Sequence, residues 1–524
     1  MPVSLSAMTD KIRRRISYVI NFVLLGPLRF GNLTDAETSD GSTSSTVSFA
    51  CGFAILLITI IYLSSPVADD FLNTDSIWEL LVSLMVTGTL ATVVLLIGIV
   101  FGRSYDVVRR QLKDKCVELE IKFLWFSGIG VLFRTGINLA IEFECVNISS
   151  GFREISKIIS SFLKIMFMLV QMIFITYLRN KRLIGGLFIN FLIGGLFLVN
   201  TCIWVNFITV KIFYIYAFQN ASSSVLAKNL STWDNCYWHS ETHKISQRLS
   251  SFLLTVSTLF FLLSTMFLVR LWPSIQSTTQ MRNRCVVNED VSINSDGRSN
   301  TADQLIKYRR KVRIVSSLVG FLMNSPFFTM AILMRWVYFD DIVPVKVVWD
   351  VFVILCLPIL ILIILAGIQN LNLSCLKKIP FSTWDVILML CMAGNVVLNI
   401  LGITSIFVCH VDRSVTIFIK NVLGLVLTYY HTVYIIVAQR TPLSVFREST
   451  LNLSIHVILF CSFLGRWTLQ TFLLTSQGMY ILKEGEKCLF PDEESWRTMQ
   501  YFLIPLNAFY DFQSFVFYYG KIWF

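Results

Sequence analysis

Long apolar stretches alternate with short polar segments along most of this chain. A helix needs roughly 20 predominantly apolar residues to cross the ~30 Å hydrocarbon core of a bilayer, and helices satisfy their own backbone hydrogen bonds there. The pattern predicts twelve transmembrane helices, over residues 47–63, 80–101, 123–141, 159–178, 183–210, 249–269, 314–338, 347–368, 386–408, 415–437, 455–474 and 499–519. The predicted fold class is therefore an all-α polytopic membrane protein.

Composition supports a membrane protein. The chain is 55% hydrophobic and only 15% charged, and its mean hydropathy is +0.67, which is atypical of soluble domains. The net charge of +11 comes largely from Lys and Arg in alternate loops. Because membrane topology accounts for these charges, no nucleic-acid partner is expected.

Charge also predicts orientation. Basic residues cluster before the first span and after the second, fourth and sixth, whereas the intervening loops carry acids such as Asp69, Glu142, Asp340 and Glu493. The positive-inside rule then places both termini in the cytoplasm of a multi-pass cell-membrane protein. Glycosylation sequons in loops assigned to the outside predict modified asparagines at Asn147, Asn220 and Asn229.

A polar segment at residues 274–313 divides the predicted spans into six and six. It follows a cytoplasmic N-terminal segment (1–46) and a first half (47–273), and it precedes a second half (314–524). An even number of spans in each half permits a parallel internal repeat. Weak sequence similarities between the halves support such a repeat: the fourth span reads Gln171-Met-Ile-Phe-Ile and the tenth reads His431-Thr-Val-Tyr-Ile.

Cysteines in or beside the exterior loops can be oxidised. These are Cys145, Cys236, Cys409 and Cys488, and four cysteines allow three complete pairings. The sequence leaves the pairing open, with a Cys236–Cys488 bridge as one candidate.

Several ordered motifs resemble those of one family. Gln171-Met-Ile-Phe174-Ile and Asn200-Thr-Cys-Ile-Trp204 resemble the Gln-x-x-Phe-Ile and Thr-Asn-x-x-x-Trp patterns of otopetrins, which are twelve-span proton channels. Later spans add Trp384-Asp385, His431-Thr432 with Arg440, Trp467, and Pro505-Leu-Asn-Ala-Phe509-Tyr510 through Ser514. The resemblance covers about half the chain, and the order of the motifs carries it. It implies a proton-selective channel with acid as a candidate gating stimulus, a homodimer, contact with membrane lipid such as sterol, and no enzymatic activity or cofactor.

The resemblance also implies a set of pathway residues. Gln171, Asn200 and Tyr510 match polar positions of the family's pores, and His431 stands where a glutamine is expected. Departures occur at other positions: Lys211 replaces an acid, Val256 a tyrosine and Phe463 an asparagine, while Asp511 and Gln513 replace an arginine and a histidine. The predicted pathway therefore comprises Gln171, Asn200, His431 and Tyr510.

Ionisable residues inside spans usually face a partner or a cavity. His431 lies well inside span ten, and with an unperturbed pKa of about 6.5 an imidazole can titrate under mild acidification; the alternative is a structural histidine. Lys211, His239 and His243 are further candidates for a sensor or gate. Arg466 and Asp511 are predicted to form a structural ion pair, and Arg134 or Arg335 is a candidate partner for Asp350.

One other class of membrane protein also has two groups of six spans. Gly102-Arg-Ser-Tyr-Asp106 followed by Arg109-Arg110 faintly resembles a motif of major facilitator transporters, so a secondary transporter of a small solute remains the alternative. The sequence shows no metal-ligand spacing, phosphate loop or nucleophile motif. We therefore predict neither an enzyme nor a metal site.

Overall fold

The structure is a computed structural model of the chain. It describes residues 74–101, 108–110, 115–146, 152–179, 181–183, 192–204, 236, 240–271, 299–336, 343–371, 383–409, 414–441, 450–473, 489–490 and 493–523. The predicted first span, 47–63, lies outside these residues.

The described part of the chain is almost entirely helical. In chain order the helices are α1 (Thr74–Phe101), α2 (Lys115–Val146), α3 (Phe152–Leu178), α4 (Leu192–Trp204), α5 (Glu241–Leu271), α6 (Ser299–Trp336), α7 (Val343–Asn370), α8 (Thr383–Cys409), α9 (Ser414–Arg440), α10 (Thr450–Thr468) and α11 (Glu493–Trp523). Helix α10 continues into a π-helical turn, Leu469–Leu473. Each predicted span from the second to the twelfth overlaps one of these helices.

A short antiparallel ribbon was not predicted from the sequence. Strand β1 (Val108–Arg110) pairs with β2 (Lys181–Leu183), and Arg109 lies opposite Arg182. Both strands are three residues long and basic, so neither carries the alternating apolar pattern by which a strand is recognised.

Among the described residues, six helical segments are long and apolar enough to cross a membrane. They are Ile158–Leu178, Lys307–Ile332, Val347–Asn370, Ile387–Val408, Val415–Arg440 and Thr450–Thr471. Large apolar side chains such as Phe407 and Leu322 are exposed, whereas Gln171, His431 and Asp511 are buried. A polar interior with an apolar exterior is typical of a protein whose surroundings are lipid, so the chain is a helical membrane protein.

Helix packing brings the later helices into one bundle. Helix α9 packs against α7 and α8, while α10 packs against α6 and α11. Small residues permit close approach: a Cβ at Gly320 of α6 would lie 2.6 Å from the Cβ of Cys461 in α10, which is too close for any side chain there. Earlier helices α2, α3 and α5 pack together, and α2 and α5 also contact α11.

Helix α6 begins earlier than the sequence predicted. It starts at Ser299, inside the segment assigned as a linker over 274–313. Between Gly297 and Gly320 the chain contains neither Gly nor Pro, and Ala, Gln, Leu, Lys and Arg in this interval are good helix formers. The predicted boundary at residue 314 therefore falls within a continuous helix.

The disulfide joins Cys145 to Cys236, which corrects the candidate Cys236–Cys488 pairing. Cys145 lies at the end of α2, and Cys236 precedes the start of α5. Helices α2 and α5 are packed neighbours, and the Cα atoms of the two cysteines lie 5.7 Å apart. Sequence spacing could not reveal this neighbour relation, because 91 residues separate the two cysteines.

Candidate functional site

The centre of the site is a hydrogen bond between α9 and α11. His431 Nδ1 lies 2.7 Å from the hydroxyl of Tyr510, and both side chains are buried. The same hydroxyl lies 2.9 Å from Thr432 Oγ1 and 3.3 Å from the carbonyl oxygen of Thr428. A phenol has a single proton to donate, so Tyr510 can direct that proton to any one of three neighbouring acceptors.

Polar side chains of α8 extend this arrangement away from Tyr510. Asn395 Nδ2 donates to Thr428 Oγ1 at 3.0 Å, and Asn399 Nδ2 donates to Asn395 Oδ1 at 3.1 Å. Two turns before Thr428 on α9, Asn421 is buried against Gly402, where a Cβ would lie 2.2 Å from Asn421 Nδ2. Amides and hydroxyls therefore continue toward the residue-409 end of α8.

A second buried histidine, His456 of α10, is hydrogen-bonded to Tyr434 of α9. Tyr434 OH is 3.2 Å from His456 Nε2, and His456 Nδ1 is 2.6 Å from the carbonyl oxygen of Asn452. Because a carbonyl only accepts, Nδ1 carries the hydrogen; in the neutral ring Nε2 then accepts from Tyr434. His456 was not predicted as a site residue, although Asn452, His456, Phe463 and Trp467 follow the spacing of one helical face.

Tyr518 lies between these two hydrogen-bonded groups. Its ring centroid is 5.8 Å from that of His431 and 6.4 Å from that of Tyr434. His431 Nε2 and Tyr518 OH are both buried and have no hydrogen-bond partner among the described residues. Buried polar atoms normally have a hydrogen-bond partner, so these two atoms mark the step between the two groups that no direct hydrogen bond closes.

An aromatic ring separates His431 from a charge pair. Phe463 of α10 stacks on the His431 imidazole with centroids 3.9 Å apart, and the Arg466 guanidinium lies 5.3 Å from the centroid of the same phenyl ring. Arg466 Nε is 3.3 Å from Asp511 Oδ2. The predicted partners Arg466 and Asp511 thus lie within ion-pair distance, next to the His431 and Tyr510 pair.

The remaining predicted pathway residues meet elsewhere. Gln171 Nε2 of α3 donates to Asn200 Oδ1 of α4 at 2.7 Å, and Asn200 Nδ2 donates to the carbonyl of Leu196 at 2.9 Å. Both side chains are buried. Val256, at the position where the resemblance implies a tyrosine, is buried against Gly130. The position at which the resemblance implies a tyrosine therefore carries no hydroxyl.

Ion pairs lie at other helix contacts. Asp350 Oδ1 of α7 accepts from Lys420 Nζ of α9 at 2.7 Å; the sequence had suggested Arg134 or Arg335 as its partner. Lys420 lies inside the predicted tenth span, but it was not considered as a partner for Asp350. Arg440 Nη2 lies 3.4 Å from Asp385 Oδ2, and Arg270 forms a two-point contact with Glu120.

Lys521 of α11 lies beyond the predicted last span and is hydrogen-bonded to α9. Its Nζ donates to the carbonyl of Ala438 at 2.9 Å, and burial lowers the pKa of this ammonium to about 8.

Of the predicted sensors, His243 is buried at the start of α5, where its backbone N–H donates to Ser240. Lys211, His239 and the sequons at Asn147, Asn220 and Asn229 lie outside the described residues.

The described residues contain no cluster of three or more His, Cys, Asp or Glu side chains that could hold a metal ion. No protein-family model matches this chain, and no curated protein sequence matches it.

Proposed function

We propose that this protein is a proton-selective channel of the otopetrin type. The observation that carries the proposal is a chain of polar residues through α8, α9, α10 and α11, which we call the polar chain and which is buried except at Asn399. Its members are Asn399, Asn395, Thr428, Tyr510, Thr432, His431, Tyr518, Tyr434, His456 and Asn452. Its hydrogen bonds are 2.6–3.3 Å long. Two steps lack a direct bond: the step through Tyr518, and the step within Thr428, whose hydroxyl accepts from Asn395 while its carbonyl oxygen accepts from Tyr510.

The hydroxyl and imidazole groups of the polar chain suit proton transfer. Hydroxyls and imidazoles both donate and accept hydrogen bonds, so a proton can enter on one side of such a group while another leaves on the far side. Direct side-chain contacts at these distances leave no space for a hydrated cation. The arrangement therefore favours protons over Na⁺ or K⁺.

The proposed topology gives the polar chain a direction across the membrane. With twelve spans and cytoplasmic termini, α8 runs outward and α10 begins at the cytoplasmic face. Asn399 then lies about 15 Å from the outer end of α8, at 1.5 Å per residue, and Asn452 lies near the cytoplasmic end of the route. The Cys145–Cys236 bridge joins helix ends assigned to the outside, where disulfides form.

Two contacts support an internal repeat. Gln171 of the first half corresponds to His431 of the second, and Asn200 corresponds to Phe463. Gln171 is hydrogen-bonded to Asn200, and His431 stacks on Phe463. Equivalent pairs of helices, α3 with α4 and α9 with α10, thus meet through equivalent residues. We infer two related six-helix halves, with a homodimer as the assembly and the second half carrying the more complete route.

Proton currents test the proposal. The protein is expressed in cells, external pH is stepped downward, and sodium is replaced by an impermeant cation. We expect an inward current whose reversal potential follows the proton gradient. A well-expressed surface protein that moves a small solute but passes no proton current would support the major facilitator alternative and overturn this proposal.

A further inference from the structure

One face of α6 changes from basic to apolar within a single helical turn. Ser316, Gly320 and Asn324 form the buried side of the helix, against α10. On the exposed side, Ile314, Val315, Leu318, Phe321 and Leu322 are each more than half exposed. The preceding turns of the same exposed side carry Lys307, Arg310 and Lys311, which are also exposed.

The basic turns hold an excess of positive charge. Residues 307–313 contain Lys307, Arg309, Arg310, Lys311 and Arg313 but no acid. Lys307, Arg310 and Lys311 form no ion pair with any described residue. Arg313 instead faces the protein, where its Nη2 donates to the carbonyl of Ile522 at 3.3 Å. This contact with the last turn of α11 fixes the position of the basic turns along the axis of the bundle.

Helix geometry places these charges at the level of lipid headgroups. With a rise of 1.5 Å per residue, Lys307 lies about 10 Å along the axis from Ile314, the first exposed apolar residue. A headgroup layer is roughly 5–8 Å thick on each side of the hydrocarbon core. When the apolar side of α6 contacts acyl chains, Arg310 and Lys311 therefore lie beside the phosphates, within a Debye length of about 8 Å.

We propose that the exposed face of α6 formed by Lys307, Arg310, Lys311, Ile314 and Leu318 binds an anionic phospholipid. The acyl chains pack on Ile314 and Leu318, and the phosphate accepts from Arg310, whose planar guanidinium matches two phosphate oxygens. Lys307 and Lys311 supply the charge that distinguishes an anionic from a zwitterionic headgroup. The proposal does not depend on proton conduction, because it concerns only the outer surface of the bundle.

Native mass spectrometry of the purified full-length protein tests the site. The protein in mild detergent is titrated with phosphatidylglycerol, and separately with phosphatidylcholine, and bound lipid is counted per chain. A Lys or Arg beside the bound lipid phosphate contributes roughly a factor of five to anionic-lipid affinity. We expect the double variant Arg310→Gln/Lys311→Gln to bind phosphatidylglycerol about 30-fold more weakly, with phosphatidylcholine binding unchanged.

A matched control removes two exposed charges elsewhere. Lys122 and Arg179 are exposed and lie in segments assigned to the same side of the membrane, so Lys122→Gln/Arg179→Gln should leave phosphatidylglycerol binding within about twofold. Equal losses in the two double variants would overturn the proposal. Binding of soluble glycerophosphate as tight as that of the lipid would overturn it too. Peptide mapping of the Cys145–Cys236 bridge in each variant verifies the native fold.

Discussion

His431 and Phe463 lie face to face, with ring centroids 3.9 Å apart and planes inclined by 14°. The stack fixes the orientation of the imidazole, so Nδ1 meets the hydroxyl of Tyr510. It also places His431 one aromatic ring away from the guanidinium of Arg466. The orientation that suits His431 to exchange protons with Tyr510 therefore brings any charge on the imidazole close to another cation.

The first prediction concerns the Tyr510 hydroxyl. Tyr510→Phe removes the oxygen that joins His431, Thr432 and Thr428, so we expect proton current to fall roughly tenfold or more. Loss of the hydroxyl leaves buried partners unpaired, which costs about 1–3 kcal/mol of stability. Whole-cell recording normalised to surface expression measures the current. Tyr429→Phe is the matched control, because Tyr429 lies on α9 outside the polar chain; equal losses in both variants would remove Tyr510 from the route.

The second prediction separates relay from sensing at His431. The sequence alone allowed a pH sensor or a structural histidine. A buried charge without its own counterion is costly, and Arg466 already supplies a cation beside the same phenyl ring. We therefore expect His431→Gln, which keeps one hydrogen bond, to reduce the current while leaving its dependence on external pH between about 5 and 7 unchanged. A flattened pH dependence at equal surface expression would make His431 the sensor.

Helix positions followed from the sequence because lipid imposes a simple rule. Each apolar run must form a helix to satisfy its backbone, so α7, for example, was located within a few residues of Val343–Asn370. The start of α6 was missed because its first turns are polar and carry no apolar periodicity. The helix-forming residues in these turns, and the absence of Gly and Pro, were the only sequence features that indicated a helix there.

Contacts between distant helices could not be obtained in the same way. The resemblance selected Tyr510 and His431 individually, but their hydrogen bond joins residues 79 positions apart. Likewise, Asp350 pairs with Lys420 because α7 and α9 are packed neighbours, which periodicity does not encode. His456 was overlooked because it stands near the beginning of an apolar run rather than at its centre.

The third prediction concerns the disulfide. Cys145→Ser should destabilise the protein by roughly 2–4 kcal/mol, because the bridge closes a long loop in the unfolded chain. Cys236→Ser and the double variant should lose the same amount, since either single change already opens the bridge. Thermal unfolding in detergent measures all three. A double variant markedly less stable than either single variant would contradict the Cys145–Cys236 pairing. Cys356→Ser, at a free thiol of α7, serves as the control for replacing sulfur by oxygen and should cost less than loss of the bridge.

The fourth prediction tests the charge pair between α7 and α9. Asp350→Asn leaves the Lys420 ammonium largely buried without its carboxylate, and removal of one partner of such a pair typically costs about 3–5 kcal/mol. Adding Lys420→Gln should recover most of that loss. Thermal unfolding of the two single variants and the double variant gives the coupling energy of the pair. Additive losses in the double variant would mean that Asp350 and Lys420 do not interact.

The last prediction uses Lys521, whose pKa burial lowers to about 8 from the ordinary 10.5. Between these two values the unfolded chain binds more protons at this site than the folded protein does. Stability therefore rises with pH from about 8 to 10.5, and this contribution is lost as pH falls through 8. Melting temperatures across pH 7–10 should show the rise in the native protein and a flatter profile in Lys521→Met. Lys122→Met, at an exposed lysine, should retain the native slope; a slope unchanged in Lys521→Met would show that another group titrates.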